Sequence, residues 1–187
     1  MYPEYAEING KQYKIDTNFE TALRCFEVVE DETITNYERA LAVCYLLFDY
    51  VPKDDEINAF LDKAKYYLQC GETYEEQTSK NRDMDFIQDR RYINSSFMKE
   101  YKIDLSKEKL HFWQFIEDIE GLGEDTALNR IRDIRNRDLK EIKDAKEKQR
   151  VKEAQERFKL KETHSNKKFT LEEQENMNSF FKQMEVN

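Results

Sequence analysis

The sequence predicts a mainly α protein: a compact helical body with an N-terminal β-hairpin and an extended, charged C-terminal helical arm. Three observations predict it. Gly (4) and Pro (2) are scarce among 187 residues, so the residues that punctuate turns and strands are few and long helices are expected. Apolar residues recur at helical spacing in segment after segment. Charged residues (38%) and aromatic residues (13%) are both abundant, which fits an aromatic core wrapped in charged helix faces and not a disordered chain.

The elements follow in order. Ile8-Asn9-Gly10-Lys11 carries the Asn-Gly pair that tolerates two positive φ angles, as a type I′ hairpin turn requires. Folding about it sets Ala6 opposite Tyr13 and Ile8 opposite Lys11, and puts Ala6, Ile8, Tyr13 and Ile15 on one face. Thr17-x-x-Glu20 and Thr35-x-x-Glu38 match the capping box, which satisfies orphan N–H groups at a helix start. Phe19, Ala22, Leu23, Phe26 and Val29 follow the first, and Tyr37, Ala40, Leu41, Cys44, Tyr45 and Phe48 the second. Pro52 ends that helix, Asp54 or Asp55 can cap the next, and its stripe of Ile57, Phe60, Leu61, Ala64 and Leu68 runs to a stop at Gly71.

Glu72 to Arg82 is polar and aperiodic, hence a loop. Helical spacing resumes near Phe86, with Ile93, Phe97 and Tyr101 on one side. Leu110 to Ile119 is apolar on more than one face, which marks a central helix. Gly121-Leu122-Gly123 closes it, and a short helix with Leu128, Ile131 and Ile134 follows. The expected core includes Phe26, Leu41, Tyr45, Phe97, Trp113 and Ile116. From Asp138 the apolar pattern thins into helix-forming Glu, Lys, Gln and Ala, predicting a long exposed helix with little core contact. After a polar linker, Thr170-x-x-Glu173 opens a last amphipathic helix. The predicted division is a helical body with its hairpin over 1–138, and a charged arm, linker and terminal helix over 139–187.

Charge is unevenly spread. Between Arg130 and Lys168 fifteen Lys/Arg stand against eight Asp/Glu, a net of +7, while the whole chain carries −9, so the remainder carries −16. This is an acidic body with a basic arm. No apolar run approaches the roughly 20 residues that span a bilayer, and the N-terminus lacks a signal-peptide pattern, so no membrane association is expected. The cysteines Cys25, Cys44 and Cys70 form no CxxC pair and read as buried thiols in a reducing cytoplasm.

Catalytic signatures do not emerge. His111 sits inside Leu110-His111-Phe112-Trp113 and reads as a satisfied core or boundary residue, and His164 lies in the linker. No phosphate loop, GxSxG, HExxH or HxH pattern occurs. Asp54-Asp55-Glu56 and Asp83-Met84-Asp85 precede helical patterns, where carboxylates stabilise the helix dipole. The expectation is a binding protein and not an enzyme, with no cofactor and no metal site.

One long block looks familiar: Asp83-Met84-Asp85-Phe86, then Tyr92-Ile93-Asn94-Ser95-Ser96-Phe97-Met98-Lys99-Glu100-Tyr101, then Leu110-His111-Phe112-Trp113-Gln114-Phe115, Gly121-Leu122 and Ile131-Arg132-Asp133-Ile134-Arg135. With the hairpin and the Tyr37-Glu38-Arg39-Ala40-Leu41 helix, it resembles a family of small tail-assembly chaperones from long-tailed phages and prophages of Gram-positive bacteria. The resemblance covers most of Met1 to about Asp138. It implies a protein that coats the tape-measure protein while tail-tube (major tail protein) subunits polymerise around it, then leaves. The implied place is the cytoplasm of the infected host, not the mature virion.

Two sets of residues are expected to bind partners. Leu171, Met177, Phe180, Phe181 and Met184 form an apolar stripe that either folds back, pairs with another copy or grips a partner helix. Arg130, Arg132 and Arg135 form a basic face for the acidic body or an acidic partner. Two other readings stand beside the chaperone: a nucleic-acid-binding regulator using 130–168, and a structural virion connector. Asp133 and Asp138 interrupt the arginines and no aromatic residues interleave for stacking, so nucleic acid is the less expected partner.

Overall fold

The computed structural model describes residues 1–71 and 83–161. They fall into two compact units, one formed by 1–71 with 110–114, the other by 83–109 with 115–161. The fold is mainly α, with a two-stranded antiparallel hairpin at the N-terminus.

In the first unit the hairpin pairs β1 (Tyr5–Ile8) with β2 (Lys11–Lys14) in the expected register, Ala6 opposite Tyr13 and Ile8 opposite Lys11. Asn9 (φ 51°) and Gly10 (φ 75°) both adopt the left-handed region that the two-residue turn needs. Ala6, Ile8 and Ile15 are buried and Tyr13 packs edge-on against Phe60, ring centroids 4.7 Å apart. The hairpin therefore lies on the helices, as a lone hairpin in water would be marginal.

Three helices complete this unit: α1 (Phe19–Glu30), α2 (Asn36–Phe48) and α3 (Ile57–Leu68). Packing runs α1 on α2, α2 on α3, and β1 on α3. Thr35 and Glu38 form the expected capping box. At α1 the cap is Asn18 and not Thr17: its side chain accepts from the Glu20 N–H at 3.2 Å, while Asp16 accepts from the Asn18 N–H and the Thr21 hydroxyl. At α3 neither Asp54 nor Asp55 caps; Glu56 holds the N-cap position and its carboxylate accepts from the Lys53 N–H and the Tyr50 hydroxyl. The α3 stop is a Schellman motif, with the Gly71 N–H donating to Tyr66 O and the Cys70 N–H to Tyr67 O. Cys70 (φ 54°) and Gly71 (φ 79°) are both left-handed there.

A strap from the later chain closes the unit. Leu110 O accepts from the Phe19 N–H at 3.0 Å, and the Phe112 N–H donates to Thr17 O at 2.8 Å. Tyr67, Phe112 and Trp113 cluster there, and Trp113 Nε1–H donates to Tyr67 O at 2.8 Å.

The second unit holds α4 (Arg90–Glu100), most of α5 (Phe112–Glu120), α6 (Ala127–Asn136) and α7 (Ala145–Phe158). Phe97 stacks on Phe115, and Ile93, Leu105, Ile119, Leu122, Leu128 and Ile131 fill the surroundings. The Ser96 hydroxyl, buried on α4, accepts from the Leu128 N–H at 3.0 Å and so ties α4 to the start of α6. The helix expected from Asp138 begins only at Ala145, behind a turn, and buries no residue fully. It is nonetheless attached: Val151, Ala154, Gln155 and Phe158 are half-buried and α7 packs on α6. The 138/139 position lies inside this unit.

Of the six residues expected in the core, Phe97 is fully buried. Phe26, Leu41, Trp113 and Ile116 are half-buried, and Tyr45 is 56% exposed. The reason at α2 is that the helix is apolar on two faces. Ala40, Val43, Cys44, Leu47 and Phe48 form the packed one, which leaves Tyr45 outside.

Candidate functional site

Leu171, Met177, Phe180, Phe181 and Met184 lie outside the described residues. The three arginines all stand on α6, but they do not form one free basic face. Arg130 is exposed. Arg132 reaches Asp83 through Nε at 3.2 Å and Asn129 through Nη1 at 3.3 Å. Arg135 is the most committed. Its Nη1 and Nη2 hold the two oxygens of Asp89, each at 2.7 Å, Nη1 also donates to Asp83 O, and Nε donates to Phe158 O at 2.7 Å. A bidentate guanidinium–carboxylate pair is the strongest form of this contact, and here it is buried, the side chains 11% and 1% exposed.

Around that pair the acidic residues build a closed polar network. Asp89 also accepts from the Asp85 N–H at 3.0 Å, and Asp85 accepts from the N–H groups of Ile87 and Gln88 at 2.8 and 2.7 Å. The Gln88 amide pairs with the backbone of Lys161 in both directions, at 3.1 and 2.8 Å. The C-termini of α6 and α7 cap one another. Gln155 Nε2 donates to the carbonyls of Ile134 and Arg137 at 2.9 and 2.8 Å, and Arg135 serves the last carbonyl of α7. Orphan carbonyls at helix ends need such partners. A groove of about 310 Å³ beside this junction is lined by Asp133, Ile134, Arg137, Arg150, Val151 and Ala154.

His111 is a fastener of the strap. Its Nδ1 accepts from the Trp113 N–H at 3.1 Å, which leaves Nε2–H to donate to Pro3 O at 3.1 Å. Its ring stacks on Tyr2 at 4.9 Å. Burial pushes the thiols of Cys25 and Cys44 up to about 12, where they are poor nucleophiles. Among the described residues no group of three or more His, Cys, Asp and Glu side chains could hold a metal ion.

The surface that sequence reasoning missed is the outer face of α2. Tyr37, Leu41 and Tyr45 repeat at four-residue spacing along it; Tyr37 and Tyr45 are 49% and 56% exposed and Leu41 is half-buried. The helix has charges only at Glu38 and Arg39, so nine consecutive residues from Ala40 to Phe48 carry none. A helix apolar all round is normally buried on all sides. The signal was that uncharged run, too long for a helix with one wet face. Tyr37 is anchored by donating its hydroxyl to Asp54 at 2.7 Å, a bond that also raises the phenol above its ordinary pKa. Among the described residues nothing bonds the Tyr45 hydroxyl.

A family profile described as bacteriophage Gp15 protein matches residues 2–160, nearly all of both units. The chain belongs to the bacteriophage Gp15 protein family. The match runs through the hairpin, the α2 face and the Arg135–Asp89 network, and stops two residues beyond α7. No curated protein and no solved structure matches this Gp15-family chain. Among the described residues no helix is long and apolar enough to cross a membrane.

Proposed function

We propose that this phage protein is a non-enzymatic tail-assembly chaperone, which binds the tape-measure protein and keeps it soluble in the host cytoplasm while tail-tube subunits assemble around it. The observation that carries the reading is the exposed, uncharged face of α2 on a chain that is 38% charged overall. A holding chaperone needs that combination: an apolar surface for a client's apolar helices, and charge everywhere else to keep the complex dissolved. Its phage family and the resemblance of its sequence to tail-assembly chaperones supply the client.

Binding of nucleic acid through 130–168 is the weaker reading. Arg132, Arg135 and Arg137 are engaged with Asp83, Asp89 and Glu147, so much of the arginine charge at the start of that segment is neutralised within the protein. The test is co-expression with the tape-measure protein encoded by the same phage. The expected result is a tape-measure protein that moves from the pellet to the soluble fraction and co-purifies with this chain. A tape-measure protein equally soluble without it, or tight sequence-selective binding of DNA or RNA at physiological salt, sinks the proposal.

A further inference from the structure

The outer face of α2 has a direction in its charge as well as an apolar surface. The stripe Tyr37, Leu41, Tyr45 continues at the same spacing to Asp49, which caps the helix in the left-handed conformation (φ 49°). At the other end Asp54 receives the Tyr37 hydroxyl, and Glu38 lies beside it. Glu38 is held in the capping box, where the Thr35 N–H and hydroxyl keep its carboxyl below the usual range and therefore anionic. The one cation of α2, Arg39, is turned to the backbone carbonyl of Asp31 at 2.7 Å and to Asn36. Among the described residues no cation pairs with Asp49 or Asp54. The apolar stripe is thus bounded by carboxylates at both ends, on a unit whose residues 1–71 hold fourteen Asp/Glu against seven Lys/Arg, a net of −7.

We infer that the outer face of α2 is the docking surface for a cationic amphipathic helix of the partner protein, a statement that rests on the binding role proposed above. The partner's apolar stripe covers Tyr37, Leu41 and Tyr45, and Lys or Arg at its flanks meets Asp49, Asp54 and Glu38. The exposed tyrosine rings add cation–π contacts that a carboxylate-flanked helix could not make. A second copy meeting this face through its own acidic unit is disfavoured, because residues 1–71 would bring a second net charge of −7 against the first.

The test uses the full-length protein and two labelled designed helices sharing one leucine stripe, one flanked by lysines and the other by glutamates, titrated by fluorescence anisotropy. The lysine helix is expected to bind and the glutamate helix not to. Tyr45→Lys, a change at an exposed position, should weaken the lysine helix by about tenfold or more, as removal of an interface anchor does. Tyr45→Phe should leave binding nearly unchanged. Asp49→Asn keeps the left-handed cap and should weaken binding a few-fold, with a shallower salt dependence. Equal binding of the two helices, or binding indifferent to Tyr45→Lys, overturns the inference. A dimer in sedimentation that Tyr45→Lys dissolves also overturns it, by assigning the face to a second copy. Tape-measure capture that survives Tyr45→Lys removes this surface and leaves the chaperone role standing. Wild-type protein that takes the lysine helix but fails to solubilise the tape-measure protein does the reverse.

Discussion

Phe60 and Asp89 lie equally deep in the two units, 0% and 1% exposed, and are held by opposite means. Phe60 is enclosed by the rings of Tyr13, Phe48 and Tyr50, with centroids 4.7–5.5 Å away. Asp89 is enclosed by a guanidinium and a backbone N–H. Aromatic packing is tolerant of small shifts and roughly proportional to area. A buried ion pair is unforgiving, because removal of either partner leaves an uncompensated charge out of water. One unit should therefore soften gradually under mutation, and the other should fail at a few positions.

The largest effects test this directly. Phe60→Ala should cost about 3–5 kcal/mol through the cavity it leaves, and Asp89→Ala or Arg135→Ala should cost a similar amount, about 3–5 kcal/mol. The comparison is sharpened by rescue. Arg135→Met with Asp89→Leu should recover most of the loss in denaturant melts, since a matched apolar pair replaces the ions. A double variant as unstable as either single one would mean that the network's remaining hydrogen bonds, and not the ion pair, hold the unit.

Next in size is Gly71→Ala. The position has φ 79°, and an added Cβ would meet the Trp113 ring at 2.9 Å. Left-handed strain and overpacking together should cost about 1–3 kcal/mol. The loss should be smaller in a Trp113→Leu background, where the ring no longer stands in the way; an unchanged loss would place the whole effect in the backbone.

These positions show what the sequence could and could not disclose. The hairpin register, the Thr35 capping box and the stops at Gly71 and Gly121 were legible, because each depends on residues within a few positions of one another. Periodicity puts Tyr45 in the core and the fold does not, because periodicity reveals that a helix has an apolar face but not which of two apolar faces is covered. Trp113 belongs to a run apolar on several sides and posed the same ambiguity. The sequence marks Arg135 as basic and available to a partner, but its engagement with Asp89 spans 46 residues, and no local pattern encodes a pairing at that distance. The α2 surface went unread for a related reason: exposure is a property of the whole fold.

Gln155→Ala gives a smaller effect. It removes the donor shared by the carbonyls of Ile134 and Arg137 and should cost about 1 kcal/mol. Amide hydrogen exchange should report it as faster opening at the end of α6 and in α7, leaving the first unit unchanged. Protection lost in both units alike would count against treating them as separate.

The last effect is alkaline and centred on the first unit. Cys25 and Cys44 are raised from an ordinary 9.0 to about 12, chiefly by burial, and burial raises the Tyr67 phenol from 10.0 as well. The folded state thus holds protons that the unfolded chain releases. Stability is full below about pH 9 and declines as pH rises beyond it. Thermal melts across that range should show the decline, and Cys25→Ala with Cys44→Ala should flatten it. A melting temperature indifferent to pH between about 9 and 11 would contradict the burial of these groups.

The pairing of Asp89 with Arg135 also sets a clock on synthesis. A ribosome adds about 5–20 residues per second, so a separation of 46 residues means Asp89 leaves the ribosome roughly two to nine seconds before its cation. Throughout that interval the carboxylate has no counter-ion from α6, and burying it alone would be strongly unfavourable. The α4 segment must therefore stay hydrated, with Phe97 near the surface, until α6 has been made. A nascent chain halted just before Arg135 would be cut readily around α4 by a protease, and one extended past Phe158 would resist it.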